Sequence, residues 1–166
     1  MKIERGTKVL VDTNVLLEAT DEGRPFHALA LALFQNAPAA GFDLFLGTQV
    51  VREYLVVATR PVENNGLGMS MTAALDNLDR FRQRASMVAE TQRASEVFLD
   101  WAAQWQVRGK KLHDLQLLAT ASAAEMDALL TANQQDFPTP SPLTIIPLSG
   151  LEIEMWREKS SKGEME

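Results

Sequence analysis

Four acidic residues lie close to positions where the sequence predicts that a strand ends or a helix begins. They are Asp12, Glu53, Asp114 and Asp136. Carboxylates held close together repel one another and raise one another's pKa, and a divalent cation removes that penalty. A site made of hard oxygen ligands favours Mg²⁺, with Mn²⁺ as the alternative, over zinc. Because such a cation serves hydrolytic phosphoryl transfer, the four acids together indicate a site for that class of reaction.

Each of the four acids, taken alone, also fits an ordinary structural role. Asp12 suits the cap of a helix that begins at Thr13, and Asp114 suits the positive end of a helix dipole. Asp136 suits a turn, and Glu53 suits an exposed position on a helix. Asp12 is the hardest to explain in this way, because it follows an apolar strand and acids are almost never fully buried unless they are paired. The set of four therefore favours one shared site.

Other catalytic chemistries have little support in this sequence. The chain has no cysteine, which excludes disulfides, thiolate metal ligands and a cysteine nucleophile. It contains no Gly-x-Ser-x-Gly, no Walker phosphate loop and no Gly-x-Gly-x-x-Gly. A phosphohydrolase of the haloacid-dehalogenase kind needs Asp-x-Asp at its first strand, where this chain has Asp12-Thr13-Asn14. His113 adjoins Asp114, and we interpret it as a group at a helix start that supports the site.

The charged residues are distributed unevenly along a chain whose net charge is −6. Residues 80–111 carry seven basic and three acidic side chains, whereas residues 112–150 carry four acidic side chains and no Lys or Arg. This arrangement fits a phosphate-facing surface beside a metal cluster, and it also fits a solvated helix face. The candidate phosphate contacts in the basic segment are Arg80, Arg84, Arg108, Lys110 and Lys111. The four-residue spacing of Arg80 and Arg84 predicts that they share one face of a helix.

The elements that must position these residues can be predicted from apolar patterning. Short apolar runs predict strands at Lys8–Asp12, Phe42–Leu46, Met87–Ala89, Ala128–Thr131 and Leu143–Pro147. Helical spacing and caps predict helices at Val15–Ala19, Phe26–Gln35, Gln49–Thr59, Ser70–Ala85, Glu90–Gln106 and Leu112–Glu125. Trp101 and Trp105 are spaced as neighbours on one helix face, and we interpret them as core residues rather than as a platform for nucleobases.

Strands that alternate with helices and consist of short apolar runs predict a mostly parallel sheet of about five strands. We expect an α/β fold with helices on both faces of that sheet, a three-layer α/β/α sandwich. Ligand sites in such folds lie at the carboxyl ends of the strands. Asp12, Glu53 and Asp136 fall at this edge, and Asp114 joins them only if its helix begins there, which the alternation of elements does not guarantee.

The length of 166 residues and the hydrophobic fraction of 46% predict a single domain over residues 1–150, followed by a polar tail over residues 151–166. The longest unbroken apolar run, Ala28–Phe34, is far shorter than the roughly 20 residues that a membrane span needs. Residues 1–6 are not followed by the apolar stretch of a signal peptide. We therefore expect a protein of the cytoplasm that has no contact with a membrane.

Four segments resemble, in order, the motifs of PIN-domain ribonucleases. They are Val9–Leu17 with Asp12, Val51–Tyr54 with Glu53, Gly109–Asp114 with its His-Asp pair, and Leu130–Phe137 with Asp136. Thr59–Pro61 and Asn65–Ser70 are similar to the connecting segment of the VapC-type toxin branch. The resemblance runs from about residue 8 to residue 147, and four motifs at these spacings are specific. Two departures are Leu115, where the branch usually has Ala, and Ala132, where it usually has a larger residue.

This resemblance implies a PIN-like fold and a Mg²⁺-dependent endoribonuclease, usually the toxin of a toxin–antitoxin pair. It implies that Asp12 and Asp114 are the primary metal ligands and that Glu53 binds metal or orients the attacking water. Asp136 would be the fourth carboxylate. The side chains that the resemblance places around the ligands or the phosphate are Thr13, Asn14, Thr131 and Asn133.

The resemblance also implies partners. Members of the branch are commonly homodimers and are held inactive by a small antitoxin that reaches into the acidic site. Apolar residues of the helices Val15–Ala19 and Val50–Val57 are expected to give that antitoxin a surface to anchor on. The alternative function is a non-catalytic PIN-like module that binds RNA or a protein. The presence of all four acids favours the enzyme, because a module without activity is free to lose them.

Overall fold

The structure is a computed structural model that describes residues 6–151. The absence of a signal peptide was predicted from residues 1–6, and all but the last of these lie outside the described residues, as does the predicted polar tail after residue 151. The strands are β1 (Thr7–Val11), β2 (Phe42–Gly47), β3 (Ser86–Val88), β4 (Ala128–Thr131) and β5 (Thr144–Pro147). They form one sheet in the order β3-β2-β1-β4-β5, and every pair of neighbours is parallel. The predicted parallel sheet of five strands is therefore confirmed.

Helices connect these strands and cover the sheet. They are α1 (Thr13–Thr20), α2 (His27–Ala40), α3 (Thr48–Thr59), α4 (Met71–Arg82), α5 (Gln92–Trp105) and α6 (Lys111–Ala123), with 3₁₀ turns at Val62–Asn64 and Gln134–Asp136. The predicted three-layer α/β/α sandwich is confirmed. No helix in the part of the chain that the structure describes is both long and apolar enough to cross a membrane.

The strand order changes direction between β1 and β4, because the chain adds β2 and β3 on one side of β1 and β4 and β5 on the other. Connections that leave in opposite directions open a crevice at the carboxyl ends of the two strands. Asp12 follows β1 directly and Thr131 is the last residue of β4, so both lie at this crevice. The topology alone thus selects one edge of the sheet for a site.

The core lies between the central strands and the helices, and the apolar runs that predicted strands form its centre. Leu10, Leu46 and Leu129 are fully buried on β1, β2 and β4. The half-buried Trp101 and Trp105 pack against this core with their rings stacked at a centroid distance of 5.1 Å. The interpretation of both tryptophans as packing residues is therefore confirmed, whereas the expectation that neither contacts a nucleobase stays a prediction.

Three predictions about helices need correction. Helix α4 begins at Met71 because the Ser70 side chain accepts a hydrogen bond from the backbone N–H of Ala73, which makes Ser70 its cap. The same helix ends at Arg82, so Arg84 lies beyond it, and the predicted helix face shared by Arg80 and Arg84 is wrong.

Helix α2 continues past the predicted end at residue 35 and stops at Gly41, whose φ of 89° belongs to the left-handed region that glycine adopts without strain. The prediction that apolar residues of α1 give a partner a surface to anchor on is also wrong, because Val15, Leu16, Leu17 and Ala19 are all buried in the core. They offer no surface to a partner.

Candidate active site

The crevice between β1 and β4 holds Asp12 in a hydrogen-bonded position. Asp12 is only 8% exposed, and its Oδ2 accepts a hydrogen bond of 2.8 Å from the Thr131 hydroxyl. It precedes α1, yet its side chain makes no capping hydrogen bond, so the ordinary explanation as a helix cap does not hold. Burial raises the pKa of Asp12 to about 6, against the lowering effect of the hydrogen bonds from Thr131 and the Thr13 backbone. This carboxylate carries a charge that the fold does not neutralise.

Asn14 and Asn133 extend the network around Thr131. The Thr131 hydroxyl accepts hydrogen bonds from Asn14 Nδ2 and from the backbone N–H of Asn133, each at 3.0 Å. Asn14 Oδ1 accepts the backbone N–H of Ala132 at 2.9 Å, and Asn133 Nδ2 donates to Asp136 Oδ2 at 2.6 Å. The network fixes the start of α1 to the segment after β4. It also holds Asn14 of the first motif beside the polar residues Thr131, Asn133 and Asp136 of the fourth motif.

Glu53 on α3 is held from three sides. Its Oε2 accepts a hydrogen bond of 3.0 Å from the Thr13 hydroxyl, and its Oε1 accepts one of 2.8 Å from Gln49 Nε2. His113 Nδ1 on α6 lies 3.6 Å from the same Oε1, although most of the His113 side chain is exposed. The half-buried Glu53 is therefore a positioned carboxylate, and its interpretation as a merely exposed helix residue fails.

Asp114 lies in the first turn of α6, and that turn does return to the carboxyl edge of the sheet. Burial raises the pKa of Asp114 to about 7, with further increases from the charges of Asp136, Asp12 and Glu53. The Lys111 ammonium, one helical turn away, lowers it in part. Because the charges of the other three acids all raise the pKa of Asp114, the four predicted acids form one electrostatic cluster. The structure therefore removes the uncertainty that the alternation of elements left for Asp114.

The chemistry of this cluster suits a hard cation more than any other group. Within the described residues, no Lys or Arg side chain forms an ion pair with any of the four acids, although two of them have raised pKa values. Between residues 6 and 151, no three Asp, Glu or His side chains are placed closely enough together to hold a metal ion on their own. Mg²⁺ binds proteins through one or two carboxylates and keeps several waters, so an open set of carboxylates is compatible with it.

The candidate RNA contacts separate into two places. Arg108, Lys110 and Lys111 are exposed at the start of α6, within a few residues of Asp114. Arg80 and Arg84 are also exposed, but Arg84 comes two residues before β3 begins, which is the opposite edge of a parallel sheet from the site. The structure thus brings the first group to the acids and does not bring Arg84 there.

Gln49 is a member of the site that sequence reasoning missed. It is 4% exposed, and its Nε2 donates both to Glu53 Oε1 and to the backbone carbonyl of His113, the latter at 3.0 Å. The side chain thereby ties α3 to the start of α6. Gln49 lies four residues before Glu53, and this spacing predicts from sequence that the two side chains share one helix face. The Gln49 Oε1 has no hydrogen-bond partner among the described residues.

Comparison with known proteins gives one family. The profile described as the PIN domain matches residues 9–139, which is most of the chain and includes all four acids. The comparison with curated protein sequences gave no significant match.

Solved structures share this architecture at low sequence identity. A chain of VapBC2 from Rickettsia felis, bound to a DNA fragment from its promoter, matches with a TM-score of 0.63 and 16% identity, over 85% of this chain and 98% of that one. VapC20 from Mycobacterium tuberculosis, described as a toxin that cleaves the sarcin-ricin loop, matches with a TM-score of 0.62 and 14% identity, over 82% and 96%. A toxin–antitoxin complex from Klebsiella pneumoniae matches with a TM-score of 0.53 and 20% identity, over 84% and 97%. These likenesses show the fold.

Proposed function

The chain belongs to the PIN domain family, and from that premise we propose that it is a divalent-metal-dependent endoribonuclease that hydrolyses RNA phosphodiester bonds. The observation that carries the proposal is the cluster of Asp12, Glu53, Asp114 and Asp136, in which burial and repulsion raise the pKa of two carboxyls. A structural relative described as a sarcin-ricin loop cleaving toxin supports RNA as the substrate.

Mg²⁺ is the proposed cation, and Mn²⁺ is the proposed substitute. Asp12 and Asp114 are its proposed ligands because their charges are the least compensated, and Glu53 and Asp136 complete the set of oxygen donors. When bound, the cation supplies positive charge that acidifies a water and neutralises the charge that develops on the phosphorus centre.

The residues around the acids do the positioning. Thr131 holds Asp12 in one orientation, while Thr13 and Gln49 hold both oxygens of Glu53. A carboxylate fixed in this way is suited to orient the attacking water and to accept its proton. The water oxygen bonds to phosphorus, and the bond from phosphorus to the 3′-oxygen breaks. The 3′-oxygen takes up a proton from solvent, so that a 5′-phosphate and a 3′-hydroxyl remain.

Arg108, Lys110 and Lys111 are the proposed main contacts with the RNA backbone. They are exposed beside Asp114 and belong to residues 80–111, a segment with net positive charge in a chain that is acidic as a whole. Cationic side chains that replace counterions make RNA binding steeply dependent on salt. Arg80 and Arg84 are proposed as outlying contacts only, because Arg80 lies near the end of α4 and Arg84 lies just before β3, at the edge of the sheet where that strand begins.

A small antitoxin is the proposed protein partner, so that the chain is the toxin of a toxin–antitoxin pair. The structural relatives named above include VapBC2 and a toxin–antitoxin complex, which support this partner. A homodimer and a location in the cytoplasm remain predictions from the sequence.

The direct test is cleavage of RNA by the purified protein. We expect Mg²⁺-dependent cleavage by the wild type and none by Asp114→Asn, with EDTA abolishing activity and added Mg²⁺ restoring it. Asp76→Asn is the matched control, because Asp76 is an exposed acid on α4 away from the cluster, and it should cleave as the wild type does. RNA binding without cleavage under every metal condition would instead support the alternative, a non-catalytic PIN-like module.

A further inference from the structure

A cavity of about 380 Å³ opens directly beside the acidic cluster. Three segments line it: the end of α5 with the loop that follows, the first turns of α6, and the segment after β4. The lining residues that matter here are Trp105, Arg108, Lys111, Gln135, Asp136 and Phe137. The volume lies in the range of small-molecule sites, which is roughly 300–1,000 Å³. Because Asp136 belongs to both the cavity and the cluster, a ligand in the cavity would adjoin the scissile bond.

The lining combines aromatic rings with cations and amides. Trp105 is half-buried and Phe137 is buried, whereas the side chains of Arg108 and Lys111 are exposed at the mouth. The Trp105 ring is stacked on Trp101 at 5.1 Å with an interplanar angle of 22°. A ring that is already packed loses little conformational entropy when a ligand stacks on it, and such preorganisation favours binding.

We propose that this cavity binds the base of an unpaired RNA nucleotide next to the scissile phosphate, an inference that rests on the proposed function. A nucleobase is a flat, uncharged ring that stacks on aromatic side chains, and every base presents such a face. Its phosphate is the group that Arg108 and Lys111 complement at the mouth. Gln135 adds a polar side chain of the kind that can hydrogen-bond to a base edge.

Charged peptides fit this lining poorly. An acidic side chain would meet the carboxylate of Asp136, and a basic one would meet Arg108 and Lys111. A nucleotide avoids both conflicts, because its base is uncharged and its negative charge lies on the phosphate. Single-stranded RNA offers this combination, because its unstacked bases are free to leave the helix axis. Trp105 is therefore both a packing residue and a substrate contact.

The test separates base binding from cleavage. Binding of a short single-stranded RNA and of a matched abasic sugar-phosphate strand is measured by fluorescence anisotropy in EDTA, where no cleavage occurs. We expect the wild type to bind the intact strand about tenfold more tightly than the abasic strand, since base stacking on an aromatic residue has an effect of this order. Trp105→Leu should bring the two affinities together, and Trp105→Phe should keep most of the difference.

Arg108→Gln tests the phosphate contact and should weaken the binding of both strands equally. Arg93→Gln is its matched control, because Arg93 is an exposed arginine of α5 that does not line the cavity. If Trp105→Leu does not fold, quenching of wild-type tryptophan emission by the intact strand, but not by the abasic strand, supports the proposal in its place. Equal affinity of the wild type for both strands overturns it and leaves the cavity to an aromatic side chain of a protein partner.

The outcomes also separate this inference from the proposed function. Cleavage of RNA without any preference for the intact strand overturns the base site alone. Base-dependent binding through Trp105 without cleavage supports the base site and contradicts the proposed nuclease activity.

Discussion

The Thr131 hydroxyl donates a hydrogen bond of 2.8 Å to Asp12 Oδ2, although 119 residues separate the two in the chain. The bond joins the ends of β1 and β4, the two strands between which the sheet changes direction. Because a hydrogen bond to a carboxylate favours its charged form, Thr131 opposes the effect of burial on Asp12. One uncharged side chain therefore helps to keep a buried carboxylate ionised.

Replacing Thr131 with Val removes this donor and keeps the shape of the side chain. We expect the pKa of Asp12 to rise further and cleavage near pH 6 to fall about fivefold, since a rise of one unit from about 6 lowers the ionised fraction at pH 6 from about one half to about one tenth. The loss should shrink as the pH is raised. Unmet hydrogen bonds of Asn14 and of the Asn133 backbone should destabilise the protein by about 1–3 kcal/mol. Thr131→Ser, which keeps the hydroxyl, should retain most activity in the same pH series.

The second prediction concerns charge in the cluster. Asp12→Asn and Asp114→Asn should each abolish cleavage, because the amide keeps the shape of the side chain and removes the charge that a hard cation needs. In EDTA, the melting temperature of each variant should equal or slightly exceed that of the wild type, because carboxylate repulsion is relieved. Cleavage at the wild-type rate by either variant would show that its residue is not a ligand.

Most of the fold and the four acids could be predicted from sequence, because both depend on local patterns. Apolar runs predicted β1 and β4, Asp12 and Asp114 lie at predicted element ends, and Glu53 and Asp136 lie near them. The start of α6 at the carboxyl edge could not be predicted from alternation alone. It follows from the packing of α6 between α5 and β4, which brings Asp114 to the other acids.

The errors came from tertiary contacts that a linear pattern does not contain. The apolar residues of α1 were expected at the surface, but this short helix packs against α2, α3 and β4, so it has no free apolar face. The double hydrogen bond of Gln49 needs α3 and α6 side by side. The place of Trp105 beside Asp136 likewise depends on the segment after β4, which is distant in sequence.

The third prediction is the pH dependence of stability without metal. The folded-state pKa values of about 6 for Asp12 and about 7 for Asp114 lie above the unfolded values near 4. Between these limits the folded state binds more protons than the unfolded state. The contribution of the two carboxyls to the free energy of unfolding is therefore complete below about pH 4 and is lost as the pH rises through 6 and 7. In EDTA the melting temperature should therefore fall between about pH 4 and about pH 7.

The Asp114→Asn variant isolates this effect from other titrating groups, because only the wild type should lose the contribution of Asp114. Added Mg²⁺ should reduce the fall in the wild type by neutralising the ionised carboxylates. Cleavage should increase over the same pH range, as the ligands lose their protons. A melting temperature in EDTA that changes equally with pH in wild type and variant would contradict the raised pKa of Asp114.

The fourth prediction compares the two groups of basic residues. Charge reversal at Lys110 and Lys111 should weaken cleavage more than charge reversal at Arg80 and Arg84, because the lysines lie at the start of α6 beside Asp114. Rates are compared on one RNA at one salt concentration, and the lysine pair should also account for more of the salt dependence. The opposite ranking would move the RNA path to α4 and the edge of the sheet where β3 begins.

An inhibiting partner has two features of the surface to use. The acidic cluster has no ion pair with a Lys or Arg among the described residues, so a cation from outside would stabilise it. Apolar anchors are absent from the surface of α1, whereas Val56 on α3 and Met71 and Leu75 on α4 are 55%, 52% and 44% exposed. The apolar contacts of an antitoxin are therefore expected on α3 and α4.

The fifth prediction is that an antitoxin places an Arg or Lys against Asp12 and Asp114, where it replaces the metal. A guanidinium binds carboxylates through two parallel hydrogen bonds, so Arg is the better residue for this purpose. Changing the inserted Arg to Ala should weaken inhibition of RNA cleavage, and excess Mg²⁺ should partly restore cleavage in the unchanged complex because the two cations compete. A complex in which the antitoxin binds far from all four acids, and in which Mg²⁺ has no effect on inhibition, would refute this mechanism and leave the nuclease assignment intact.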